Sequence, residues 1–476
     1  MELEKLHPRK SYKVGNRLEP FYTGGALAIS SDGDVLACAC GDEVKIVQLS
    51  NGSVLKTFPG DSEPITALAF TPNSRTLFTA SRSLQTKKWD MESGELSRAF
   101  KSHEAPVADM AVDASGCLLA TGSADRSARV WDVEKGHCTH SFKGHKGVVM
   151  KVLFHPDPRR LILFTGSDDA ELRVWDLATR SPLATLDGHF SAVTGLAVSL
   201  CGQVLLSAGR DKVVNLWNLQ TFKKAGTVPV FEAVEGLAVV PAGAGFPGVG
   251  TAALKSKVKG VPGVHFLTAG EGGSLKLWQS DTGRCIQEVS ADDTRNTIEG
   301  VAAAGNALTF LQMLPSNKGV LSATADARVL VFDGSMSSDP DVLSVSKQLI
   351  GTNDDVIDMK FAGEDQSLIA VVSNSEQVRL HDADTMACTR SLLGHTDMVL
   401  CCDAVGSLLV TGSKDHTMRV WDSKDGTCLG WGEGHVAAVS AVALGKKGAL
   451  FAVTGGADKL IKVWDLTKLE LEGGGG

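Results

Sequence analysis

The sequence predicts an all-β fold, a β-propeller in which small antiparallel sheets pack radially: one seven-bladed ring followed by part of a second. Three observations carry that expectation. A Trp-Asp dipeptide recurs along the chain. Between its copies lie short β-branched runs cut by tight turns, with no sustained helical period. A His, a Ser or Thr and an Asp stand at repeated distances ahead of many of the tryptophans.

In chain order the dipeptide is eroded to Val47-Gln48, intact at Trp89-Asp90, Trp131-Asp132 and Trp175-Asp176, and degenerate at Trp217-Asn218, Trp278-Gln279, Phe332-Asp333 and His381-Asp382. It is intact again at Trp421-Asp422 and Trp464-Asp465. Most neighbouring copies are 40–44 residues apart, the length of one four-stranded blade. Within one copy, Val148 to Phe154 and Leu161 to Thr165 read as strands separated by His155-Pro156-Asp157-Pro158, and a turn at Asp168-Asp169 precedes Leu172 to Asp176. A single such sheet cannot bury both faces, so the unit repeats and stacks on its neighbours.

Ten copies exceed the roughly 4–8 blades of one ring. The copies ending at 47 through 332 are therefore assigned to a first, seven-bladed ring over residues 1–335. The polar stretch 336–350 reads as a crossover, residues 351–468 as three blades of a second ring, and 469–476 as a tail. Three blades leave open faces and edges, which implies a longer parent protein. A Gly/Ala/Pro-rich insertion over about 241–263 is expected to project as a mobile loop. Its Gly243, Gly245 and Gly248 have the G-x-G-x-x-G spacing of a dinucleotide site, but Pro241, Pro247 and Pro262 forbid the helix such a site needs. Lys255, Lys257 and Lys259 in the same insertion are read as a solvated loop.

Composition excludes several function classes. With 47 basic and 55 acidic residues the net charge is −8, so any nucleic-acid contact must come from a local patch. Met1 to Lys13 is charged and lacks the apolar core of a secretory signal. No run approaches the roughly 20 apolar residues that span a bilayer, and no membrane partner is expected. The ten cysteines include no C-x-x-C pair. Those near apolar runs (Cys38, Cys40, Cys117, Cys201, Cys401 and Cys402) read as small buried hydrophobes in a reducing compartment. No metal, cofactor or small-molecule substrate is expected.

The polar quartets follow one grammar. Asp125, Thr121 and His103 precede Trp131 by 6, 10 and 28 residues, and Asp211, Ser207 and His189 precede Trp217 at the same distances. The other complete sets are His145, Thr165, Asp169 with Trp175; His395, Thr411, Asp415 with Trp421; and His435, Thr454, Asp458 with Trp464. A Ser or Thr, a His and an Asp also make an activated nucleophile. An active site, however, has no reason to be copied once per blade, so no catalytic residue is assigned. The quartets resemble the hydrogen-bonded tetrads of the WD-repeat family. That resemblance implies an indole N–H on the hydroxyl, the hydroxyl on the imidazole, and the imidazole on the turn carboxylate.

A narrower resemblance rests on other segments. They are Gly60 to Phe70, Ala80 to Ser83, Lys101 to Val107, Leu118 to Arg126, Cys138 to Val149, Ser373 to Arg379 and Leu393 to Cys401. From about Phe21 to Leu466 the chain is similar to the transducin beta-like three family, tandem-propeller subunits of the small-subunit processome. This implies a nucleolar, non-catalytic scaffold that supports U-three snoRNP-dependent processing of the ribosomal RNA precursor. The implied partners are other WD-repeat processome subunits, the U-three snoRNP and precursor ribosomal RNA. Family geometry places Pro106, Ala108 and Ala124 on one rim, with Val148, Met150 and Asp168, and then Ala192, Thr194 and Arg210. With few charges, this rim suits protein partners.

Two rivals remain. A WD-repeat substrate receptor of a cullin-type ubiquitin ligase carries a basic residue two after the Trp-Asp pair, as Lys424 follows Trp421-Asp422. A G-protein β subunit needs an N-terminal coiled coil, and Met1 to Tyr22 shows no apolar heptad.

Overall fold

The computed structural model describes residues 20–466 except 243–245, 247–248, 250–260, 291–306, 316–318, 334–343, 352–354, 384–387 and 446–450. Among them are strands and turns and no helix. The strands form ten antiparallel sheets, nine of four strands and one of three, each made of strands consecutive in sequence. We call these sheets blades one to ten. They span 27–58, 65–101, 107–143, 149–187, 193–229, 234–290, 308–350, 356–392, 399–432 and 439–465. The strands of a blade are inner, second, third and outer in chain order. This is a WD-repeat type of β-propeller architecture, as the repeat predicts.

Burial explains the shape. Second strands such as Ile162–Ser167 and Val204–Gly209 are buried almost throughout, whereas the outer strand Leu96–Lys101 is largely exposed. A blade is thus driest in its middle strands, where it is covered by a neighbour on each face. The tryptophans supply much of that cover. Trp175, on the third strand of blade four, packs into blade three on Ala120, Val130 and Phe142. Trp89 does the same to Phe58 of blade one, and the Phe142–Trp175 rings stack with centroids 4.7 Å apart. At each of these tryptophans the pairing with the outer strand slips, as between Val174 and Trp175 and between Leu216 and Trp217. Such a bulge turns the indole toward the preceding blade. Small residues let the blades close: a Cβ on Gly122 would sit 2.8 Å from the Val149 side chain of the next blade.

Blades one to seven pack in succession, and blade seven packs on blade one. Phe21, Tyr22, Leu27, Leu36 and Val47 share a core with Leu321, Val329 and Leu349. The backbone N–H groups of Phe21 and Tyr22 both donate to Gly351 O, at 2.7 and 3.1 Å. The seam therefore closes by packing and backbone bonds, each blade keeping its own four strands. Blades eight, nine and ten pack in succession; Trp421 of blade nine sits on Ala370, Leu380 and Leu392 of blade eight.

Three expectations need correction. Residues 336–350 are not simply a crossover: Ser344–Ile350 is the outer strand of blade seven, paired with Arg328–Asp333. Its polar look belongs to an outer strand whose Val345 to Gln348 are only half-buried. The insertion at 241–263, most of which lies outside the described residues, does not hang free throughout. Phe246 and Val249 are buried beside Val240, Leu277, Leu311 and Phe332, and Val261 is buried beside Phe266 and Trp278. Gly243, Gly245, Gly248, the three lysines and the 469–476 tail lie outside the described residues. The cysteines are all free; Cys38, Cys401 and Cys402 are buried as expected, but Cys40 is only half-buried and Cys117 and Cys201 are exposed.

Candidate functional site

Each quartet comes together at one end of its blade. In blade three Trp131 Nε1 donates to Thr121 Oγ1 at 3.0 Å, Thr121 Oγ1 lies 2.8 Å from His103 Nε2, and His103 Nδ1 lies 2.8 Å from Asp125 Oδ2. A carboxylate only accepts, so Nδ1 carries the proton and the threonine hydroxyl donates to Nε2. Blade four repeats the chain through Trp175, Thr165, His145 and Asp169 at 2.9, 2.8 and 3.0 Å. Blade five runs through Trp217, Ser207, His189 and Asp211 at 2.8, 2.7 and 2.8 Å. In blade nine, Trp421, Thr411, His395 and Asp415 are linked at 2.9, 2.8 and 2.8 Å. Blade ten links Trp464, Thr454, His435 and Asp458, each step 2.8 Å.

Electrostatics fit a structural bond chain. Burial holds the His103, His145, His189 and His395 imidazoles below their ordinary pKa, against the pull of the carboxylates. They are neutral. Burial works against Asp125 too, but hydrogen bonds from Ser127 and His103 overcome it and hold the carboxyl down to about 2. Asp415 is held lower still, by His395 and Thr417. The same carboxylates accept a backbone N–H from the residue after each His, such as Lys146 N to Asp169 Oδ2 at 2.7 Å. They thereby lock the loop before the inner strand to the turn between second and third strands.

This arrangement does not do nucleophilic chemistry. Thr121, Thr165, Ser207, Thr411 and Thr454 are fully buried, and each hydroxyl oxygen already takes an indole proton. His145, Asp169 and Glu171 bring three ligand atoms within 4.8 Å of one another. Both nitrogens of His145 are engaged by Thr165 and Asp169, and Glu171 takes Arg173 at 2.9 Å, so the trio is a closed network.

Two partial tetrads escape the sequence pattern. In blade two Trp89 Nε1 donates to Thr79 Oγ1 at 3.1 Å, and Asp61 stands where the others have His. Its carboxylate takes the hydroxyls of Ser81 and Ser83 at 2.8 and 2.5 Å. In blade six Trp278 donates to Thr268 at 2.9 Å, and Glu232 takes Gly272 N at 3.1 Å and Lys276 at 3.2 Å. The threonine ten residues before each Trp was the available signal.

The rim expected to meet partners is only partly surface. Asp168 and Arg210 are exposed, and Arg210 Nε pairs with Glu235 of blade six at 3.0 Å. Val148 and Met150 are half-buried. Thr194 is not on the rim: it is buried, and its hydroxyl donates to Val234 O of blade six. The inner strands of blades five and six approach too closely there to leave a side chain in solvent. Lys424 pairs with Glu364 at 3.0 Å.

Comparison with known proteins adds to this geometry. The WD domain, G-beta repeat model matches residues 52–90, 94–132, 136–176, 180–218, 386–422 and 426–465. Each match takes the outer strand of one blade and the first three of the next. The chain is 38% identical to transducin beta-like protein 3 of Bos taurus over 98% of its length, covering 56% of that protein. It is also 38% identical to transducin beta-like protein 3 of Homo sapiens, over 97% of this chain and 55% of that protein. It is 29% identical to U3 small nucleolar RNA-associated protein 13 of Saccharomyces cerevisiae over 60% of this chain and 35% of that one. The chain thus spans about half the length of the first two relatives.

Proposed function

The chain belongs to the WD-repeat family, and on that premise we propose that it is a non-catalytic scaffold in the assembly of the small ribosomal subunit, acting in the nucleolus. The observation that carries this reading is likeness along nearly the whole chain to transducin beta-like protein 3, together with the partial match to a U3 small nucleolar RNA-associated protein. On this reading the chain supports U-three snoRNP-dependent processing of the ribosomal RNA precursor. Its partners are other WD-repeat subunits, the U-three snoRNP and the precursor.

The tetrads favour a scaffold. They spend every His, Ser or Thr and Asp of the repeated pattern on rigidity, which leaves the loops to vary on a stiff frame. The rim of blades three to five, with Val148, Met150, Asp168 and Arg210, is the surface assigned to protein partners. Met150→Glu with Arg210→Ala is expected to weaken assembly with them. The direct test of the whole reading is in-cell cross-linking of the tagged chain and sequencing of bound RNA. Enrichment of precursor ribosomal RNA and U-three small nucleolar RNA is expected. Recovery of messenger RNA alone, or of no RNA, overturns it.

A further inference from the structure

The repeats serve as controls for one another: a side chain that departs from its equivalents at an exposed position is not required by the fold. The loops from inner to second strand and from third to outer strand all emerge on the end of the ring opposite the tetrad turns. On that end the charge is divided. Blades one and two place Asp32, Asp34, Asp90, Glu92 and Glu95 there, all exposed, against one exposed cation in those loops, Arg75. Blades four and five place Arg159, Arg160, Arg180 and Lys223 there, also all exposed.

Three departures build the basic half. The inner-to-second loop of blade four has seven residues, 155–161, where blades one, two, three and five have five. The lengthened loop carries Arg159 and Arg160. Second, the third-to-outer turn has a left-handed residue four after the Asp of the dipeptide, and Gly52, Gly94, Gly136, Gly283 and Gly426 fill that place in other blades. Blade four puts Arg180 there, with φ 56°. Such a residue strains the backbone unless glycine takes it. Phe222, its counterpart in blade five, is partly buried against the core, which accounts for it. Arg180 is exposed and, among the described residues, has no ion-pair partner. Third, blade five replaces the dipeptide Asp with Asn218. Its Oδ1 still accepts the turn N–H groups of Gln220 and Thr221 at 2.8 and 3.1 Å, as Asp132 Oδ1 does for Glu134 and Lys135. The turn is kept and a negative charge is removed.

The loops that carry these groups are tied together. Leu177 N donates to Leu161 O at 2.8 Å, joining the two loops of blade four, and His155 Nε2 donates to Gly202 O of blade five at 3.1 Å. The carboxylates on this stretch are Asp157, whose Oδ1 accepts Arg159 N at 3.0 Å and lies 3.7 Å from Arg159 Nε in an exposed, solvent-screened pair, and Asp176, which takes Ala178 N at 2.8 Å and the Thr179 hydroxyl at 2.9 Å. Both are partly occupied by the turns they cap.

We propose that this end of blades four and five is a docking surface for the phosphate backbone of RNA, with Arg159, Arg160, Arg180 and Lys223 as the contacting cations. The proposal rests on the ribosome-assembly reading above and assigns it a direct RNA contact. Arginine suits this partner because its planar fork of donors matches phosphate oxygens. With a net charge of −8, attraction must come from a local basic patch, which this surface supplies.

The test uses the whole chain and a fluorescein-labelled, 20-nucleotide oligouridine, read by anisotropy. Four phosphate contacts to a single strand give a logarithmic salt slope of about −3, so affinity falls about 50-fold between 50 and 200 mM salt. With Arg159→Gln, Arg160→Gln and Arg180→Gly together, affinity at 50 mM falls at least about tenfold and the salt effect shrinks to about threefold. Arg180→Gly relieves the left-handed backbone, so the melting temperature does not drop on its account. Arg75→Gln, on the same end in blade two, leaves binding unchanged. Absence of binding, a triple variant that binds as the wild type does, or displacement of the RNA by polyglutamate as readily as by unlabelled RNA each overturns the proposal. Co-purification of U-three small nucleolar RNA from cells is read separately. If the anisotropy test fails while the wild type retains it, the RNA surface is refuted and the scaffold reading stands. If the wild type lacks it, the scaffold reading is refuted.

Discussion

Thr121→Val is the sharpest test of what the tetrads do. Valine has nearly the shape of threonine, so the core of blade three stays filled and only the hydroxyl is lost. Two buried groups then lose their partner: Trp131 Nε1, now 3.0 Å from that oxygen, and His103 Nε2, 2.8 Å from it. His103 and Thr121 are wholly buried, so water cannot replace the bond. At about 1–2 kcal/mol for each buried orphan, the change destabilises blade three by about 2–4 kcal/mol. Hydrogen exchange reads this locally, because the amides of Leu118–Ser123 and Ser127–Asp132 report opening of that blade. Their protection is expected to fall by about 30- to 900-fold, the same energy written as an equilibrium constant. Thr79→Val in blade two removes only the Trp89 bond and has the smaller effect. A loss under about 0.5 kcal/mol at Thr121, or equal losses at the two sites, refutes the view that the full chain of bonds stabilises the blade.

Three further outcomes follow from the same geometry. Stability is expected to fall as pH drops below about 6.5, because the unfolded histidines take up protons that burial denies to His103, His145, His189 and His395. A second loss follows between about pH 4 and about 2 as unfolded Asp125 protonates first; urea midpoints across that range check both. Asp61→His with Ser83→Asp places the missing partners 28 and 6 residues before Trp89, installing a full tetrad in blade two. The double variant is expected to melt higher than Asp61→His alone. Gly351→Ala puts a Cβ 2.5 Å from both Tyr22 O and Tyr22 Cβ, so the seam between blades one and seven loses about 1–3 kcal/mol. Tyr22, whose phenol burial holds well above its ordinary pKa, is then expected to ionise at lower pH in an ultraviolet titration.

What the sequence disclosed depended on how often each feature is repeated. The blades and the five tetrads are legible because Trp, Ser or Thr, Asp and His recur at fixed separations, and a chain of bonds that needs four side chains tolerates few spacings. Blade seven's outer strand was hidden for the opposite reason. Ser344–Ile350 reads Ser-Val-Ser-Lys-Gln-Leu-Ile, with no period-2 pattern, and Phe332 replaces the Trp on the strand it pairs with. The partial tetrad at Asp61 is invisible to a search for His, although a carboxylate that accepts Ser81 and Ser83 does the same joining work. Thr194 looked like rim by position, and only the approach of blade six, whose Val234 O it binds, shows otherwise. Phe246 and Val249 are two apolar residues in a glycine-rich stretch, and composition averages them away.

Regularity between blades separates fold from function more finely than burial does. A Trp at the end of a third strand, such as Trp175, is held by a hydroxyl of its own blade and inserted into the blade before it, so one side chain couples two sheets. Positions in that coupling have no freedom to serve a partner, which is why the most regular residues are the least informative about function. The loop ends bear no such duty: Gly136 serves one turn and Arg180 the next. Glycine is the cheaper residue at that left-handed place, so an arginine there marks a demand that folding does not make. Asn218 supports the same inference from the other direction, since it preserves two turn bonds while discarding a charge that blades two, three and four retain. A strained cation gained in one blade and a carboxylate lost in the next change the field in the same sense, and polyanion binding explains both.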